Sequence, residues 1–100
     1  MLDKVALRTQ LIRDFDYPPD GAEMVADDFI QAGAPIRLAL KGWLTDGTIP
    51  SLEVQGFTVR RLMGDYRMNI FAALLTLDSL SKNPDRALAT LKKGLERLTF

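Results

Sequence analysis

The chain reads as an all-α protein: a compact single-domain bundle of five or six short helices over residues 1–100, with one short extended segment near 50–56. Three observations predict it. Apolar residues recur at three- and four-residue intervals through most of the chain, the spacing of one helical face. The breaks between those stretches carry Pro, Gly, Asn, Thr and Asp where helices stop and start. The composition, 47% hydrophobic and 26% charged over 100 residues, is that of a globular domain able to close one core without cross-links.

The first helix is expected over 2–15, with Leu7, Leu11, Ile12 and Phe15 inward and Lys4, Arg8 and Arg13 elsewhere on the wheel. Tyr17-Pro18-Pro19 ends it, because a proline ring cannot continue a helix and pushes its predecessor to extended geometry. Asp20 and Glu23, three apart, suggest a capping box opening a second helix. Its inner stripe would be Met24, Val25, Phe29 and Ala32, and Gly33 would be a left-handed stop. Pro35 suits the first turn of a third helix, where its missing N–H costs nothing. Ile36, Leu40, Trp43 and Leu44 give that helix its inner face, and Gly47 ends it.

Residues 48–55 are irregular. Leu52 and Val54 flank Glu53 in strict alternation, which suits a short extended piece lying on the helices. Thr58 would cap a short fourth helix, with Phe57 and Leu62 at the spacing of a hydrophobic staple and Val59, Leu62, Met63 and Tyr66 on its apolar side. Asn69 caps a fifth helix over 70–81. The first half of that helix has no polar side chain, which marks it as the central one. Asn83-Pro84 opens the last helix, with Leu88, Leu91, Leu95 and Leu98 inward and Arg86, Lys92, Lys93, Glu96 and Arg97 facing water.

The absences narrow the chemistry. The chain has no His and no Cys, so it lacks the usual neutral-pH general base, the thiolate nucleophile and most zinc, copper and haem ligands. It has no Gly-rich phosphate loop and no nucleophile elbow. The acids at 14 and 16 are followed by Pro18 and Pro19 where a calcium loop needs a further ligand and a glycine. No catalytic residue, metal or cofactor is therefore expected. The charges near the N-terminus break any signal-peptide core, and the longest pure apolar run, 70–75, is too short for a bilayer, so the expected location is the cytoplasm. The three-helix outline of 2–46 invites comparison with ubiquitin-associated modules. Phe15-Asp16-Tyr17-Pro18 lacks the glycine of their Met-Gly-Phe/Tyr loop, so no family is assigned.

Net charge is zero but divided: residues 1–50 sum to −3 and residues 51–100 to +3. A neutral total disfavours a general nucleic-acid or membrane coat. Six carboxylates and no basic residue lie between Asp14 and Asp28. Of these, Asp20, Glu23, Asp27 and Asp28 are the expected contact face of a small non-enzymatic interaction module. It would be an adaptor or stoichiometric inhibitor, the class that includes phage and mobile-element inhibitors of host defence, acting on a larger protein with a basic surface. Two alternatives stand beside it. A helix-turn-helix over 58–81 would place Arg60, Arg61 and Arg67 against phosphates, although its second helix begins with apolar residues that favour burial. A homodimer would be sealed by surplus apolar residues, Leu52, Val54, Phe57 and Phe100. Tyr17, Trp43 and Tyr66 are further exposed-aromatic candidates that packing explains more simply.

Overall fold

The computed structural model describes the backbone of residues 3–98 and the side chains of residues 3–94. It is an all-α bundle of six helices with one minimal hairpin: α1 Lys4–Phe15, α2 Pro19–Gln31, α3 Ala34–Asp46, β1 Glu53–Val54, β2 Phe57–Thr58, α4 Val59–Asp65, α5 Ile70–Lys82 and α6 Pro84–Leu98. Its radius of gyration is 13.4 Å, that of a compact globule of this length.

Most helix ends follow from local chemistry. The Val5 N–H donates to Asp3 Oδ1, so the first helix starts at Lys4. It stops at Asp16, which turns left-handed (φ 56°) just before the prolines. Thr58 Oγ1 accepts from the Arg61 N–H at 3.1 Å, and Asn69 Oδ1 from the Ala72 N–H at 2.8 Å, the two caps expected. Gly47 ends α3 with φ 75°.

Two end assignments are corrected. The capping box does not form: Pro19 takes the first helical position of α2, Pro18 precedes it, and no side chain caps the end. Gly33 is not a left-handed stop. It sits extended (φ −62°, ψ 155°) as the residue before α3, and its N–H donates to Asp78 Oδ1 at 2.9 Å across the bundle.

The extended segment is a two-strand hairpin, pairing Glu53 with Thr58 and Val54 with Phe57. Its two loop residues, Gln55 and Gly56, both have positive φ (53° and 79°), as the tight turn that matches strand twist requires.

α5 is the central element. Ile70, Phe71, Ala73, Leu74, Leu77 and Leu80 are all buried, and α2, α3, α4, α6 and β1 pack against it. Phe71 is the hub of an aromatic cluster, with ring centroids 4.9 Å from Phe15, 5.5 Å from Trp43, 5.8 Å from Tyr17 and 6.2 Å from Phe29, all edge-on. Tyr17 and Trp43 thus belong to the core margin, as does Tyr66, which packs on Phe57.

Two inner faces differ from expectation. In α2 the buried residues are Ala22, Ala26 and Phe29, with Val25 at the margin, whereas Met24 is 68% exposed. The small alanines, rather than the larger methionine, face the neighbouring helices because they let the backbones approach closely. In α6, Ala87 and Leu91 are buried while Leu88 is exposed. The side chains of Leu95 and Leu98, and Phe100 entirely, lie outside the described residues. The surplus apolar patch expected for a homodimer is also redistributed: Phe57 is buried and Leu52 and Val54 pack against the core.

Candidate functional site

The acidic stretch separates into two sets once α1 and α2 pack side by side. Lys4 and Arg8 sit four apart on α1, and Glu23 and Asp27 four apart on α2, so each pair projects from one face of its helix. Lys4 Nζ lies 2.8 Å from Glu23 Oε1 and 2.9 Å from Asp27 Oδ1, and Arg8 Nε lies 2.9 Å from Glu23 Oε2. The Arg8 N–H is not aimed well enough at that oxygen to count as a hydrogen bond, so this contact is one of charge. The Lys4 pKa is raised above its ordinary 10.5, first by hydrogen bonding to Asp27 and then to Glu23. Asp14 is held by its neighbour Arg13 at 2.9 Å, which lowers its pKa.

Glu23 and Asp27 are therefore neutralised within the fold. Asp20 and Asp28 are exposed and make no ion pair among the described residues. They flank Met24 at intervals of four residues, so Asp20, Met24 and Asp28 form one stripe along the outer face of α2. The structure thus divides the four expected contact residues between the α1–α2 seam and this stripe. Met24 escapes sequence reasoning because a methionine beside Val25 reads as core. The seam had a visible signal: complementary charge pairs, each at four-residue spacing, on two helices joined by a short proline turn.

The basic candidates are less concentrated. Arg61 is turned back onto its own hairpin, with its guanidinium 4.4 Å from the Phe57 ring centroid and Nη1 donating to Gly56 O at 3.1 Å. It also lies 3.7 Å from Asp65. Arg60 and Arg67 are exposed, Arg67 on a left-handed residue (φ 54°) in the turn before α5. The helix that would have to enter a groove of DNA is α5, whose opening residues Ile70, Phe71, Ala73 and Leu74 are buried.

One polar cluster joins distant elements. Asp78, 13% exposed, accepts from the Gly33 N–H and pairs with Lys82 at 3.0 Å, while Lys82 Nζ donates to Gln31 O at 3.1 Å. These contacts satisfy backbone groups at the corner between α2 and α3 and pin it to α5, a structural task. Among the described residues no group of three or more acidic side chains is arranged to hold a metal ion, and no helix is long and apolar enough to cross a membrane. Compared with known proteins, the chain matches no family model, no curated sequence and no solved structure.

Proposed function

We propose that this protein is a small, non-enzymatic interaction module that docks on a larger cytoplasmic protein through the outer face of α2. The observation that carries this reading is the stripe Asp20–Met24–Asp28. A large apolar side chain stands 68% exposed between two carboxylates that make no ion pair among the described residues. An apolar anchor ringed by charge is the pattern of an interface hot spot, and a flexible thioether adapts to an irregular pocket. The complementary partner surface is an apolar pocket with Arg or Lys at its rim, and the unpaired carboxylates speed its encounter at low salt. The expected face of Asp20, Glu23, Asp27 and Asp28 is thereby narrowed. Glu23 and Asp27 hold the helix in place, and Asp20 and Asp28 meet the partner. No observation favours the helix-turn-helix alternative with Arg60, Arg61 and Arg67.

The experiment is affinity capture from the native host, nuclease-treated, with four baits in parallel. The wild type and a control Leu38→Asp, changed at an exposed residue on another helix, should retain one stoichiometric partner. Met24→Asp and the double variant Asp20→Lys/Asp28→Lys should lose it while keeping the wild-type circular dichroism spectrum. A partner retained equally by all four baits, or lost equally from Leu38→Asp, would overturn the reading.

A further inference from the structure

A groove of about 640 Å³ runs between α5 and α6, closed at one side by the turn after α4. Its volume lies within the range of small-molecule sites, about 300–1,000 Å³. The groove is polarised along its length. At the corner where α5 meets α6 the lining is Ser79, Asn83 and Arg86; towards the other end it is Tyr66, Met68 and Leu91. Lining residues run from Asn83, at the joint between the two helices, to Gly94 of α6, eleven residue steps or about 16 Å at the helical rise.

Among the described residues, no side chain engages the groups at the polar end. The hydroxyls of Thr76 and Thr90, midway along, donate to carbonyls of their own helices, Ala72 O at 2.7 Å and Arg86 O at 3.1 Å. Ser79, Asn83 and Arg86 by contrast make no side-chain hydrogen bond or ion pair among the described residues. Among the described residues Arg86 is the one charged residue of the lining, and no carboxylate shares the groove with it. A guanidinium presents several N–H donors in a fork that matches a carboxylate, with hydroxyl and amide donors beside it.

We propose that this groove is a binding site for an amphipathic carboxylate. The head group would sit on Arg86, Asn83 and Ser79, and the alkyl chain would lie over Ala87 and Leu91 towards Met68. The site lies on different helices from the α2 stripe, so either reading can fail without the other.

The test uses dodecanoate as the probe, with dodecyltrimethylammonium as its cationic counterpart, both below their micellar concentrations. Amide chemical shifts are followed on the full chain. Dodecanoate should saturate at one equivalent, with shifts concentrated in residues 66–68 and 76–94, and should bind at least tenfold more tightly than the ammonium amphiphile. Arg86→Ala, at an exposed position, should weaken it roughly tenfold, the loss of one charge-assisted contact. Thr90→Trp, filling the groove from an exposed position, should abolish binding, and Thr90→Ser, which keeps the hydroxyl and the space, should preserve it. Equal affinity for the two amphiphiles, failure to saturate, shifts centred outside these residues, or unchanged binding by Arg86→Ala would overturn the proposal.

Discussion

The two helical hairpins at the ends of the described chain begin alike and finish differently. α1 and α2 are joined across a short turn with two prolines, and α5 and α6 through Asn83 alone. In the first, the charged side chains at the seam are spent on each other: Lys4 and Arg8 meet Glu23 and Asp27. In the second, apolar residues such as Leu80, Ala87 and Leu91 are buried, while the polar Ser79, Asn83 and Arg86 are left exposed on the wall of a groove. The contrast teaches that a charge count says little about which surface is free to bind. Six carboxylates crowd residues 14–28, yet Asp14, Glu23 and Asp27 are paired with cations of α1, and Asp20 and Asp28 make no ion pair among the described residues.

The largest effect comes from breaking what both hairpins share. Phe71 touches the aromatic rings of Phe15 and Tyr17 from the first hairpin while belonging to the second. Phe71→Ala should destabilise the whole fold by about 3–5 kcal/mol through lost burial and the cavity left behind. Urea denaturation followed by far-UV circular dichroism would measure it. Next comes the clamp between the hairpins. Asp78→Ala removes the acceptor of the Gly33 N–H and should cost about 1–3 kcal/mol, the range for a partly buried donor left without a partner.

Smaller effects separate the seams. Lys4, Arg8, Glu23 and Asp27 are all 37–48% exposed, so solvent screening keeps the contribution of each pair small. Removing Glu23 as Glu23→Gln should therefore lower the urea midpoint modestly, and less so at high salt. Arg86→Ala in the second hairpin should stay within about 0.5 kcal/mol of wild type, because its exposed side chain makes no hydrogen bond or ion pair among the described residues.

The pH profile sharpens the same contrast. Lys4 has a raised folded pKa, so its contribution is fully present below its unfolded value of 10.5 and is lost as pH rises through the folded value. Asp46 has the opposite sign. Hydrogen bonds from Thr48, first its side chain and then its backbone N–H, lower its pKa from 3.8. Its contribution is present above 3.8 and lost as pH falls through the folded value. Thermal melts should thus show the Lys4 contribution vanishing only above pH 10.5. In Lys4→Met, that alkaline step should be absent.

Much of the fold was legible because it depends on periodicity and caps, which are local. Thr58 and Asn69 announce the starts of α4 and α5, and the apolar opening of α5 announces its burial. The features that escaped depend on neighbours. Met24 outranks Ala22 in hydrophobicity, yet a closely approached helix buries the smaller residue. Leu88 lies at the rim because Ala87 and Leu91 take the inner positions of α6. Gly33 reads as a stop in sequence because glycine tolerates left-handed geometry, whereas its N–H is held by the distant carboxylate of Asp78. The hairpin turn carries little sequence signal because Gln is an uncommon residue to adopt positive φ, unlike the Asn or Asp that normally precedes Gly there. For the candidate surface, the carboxylates were visible in the sequence; which two of them the fold would consume was not.

The most direct measurement compares two double variants on the same helix by urea denaturation. Glu23→Gln/Asp27→Asn dismantles the seam, whereas Met24→Ser/Asp28→Asn alters only the outer stripe. The first should have a lower midpoint than wild type and the second an unchanged one. Equal losses, or a loss confined to the second, would contradict the division of α2 into a face that supports the fold and an outer face that the fold does not use.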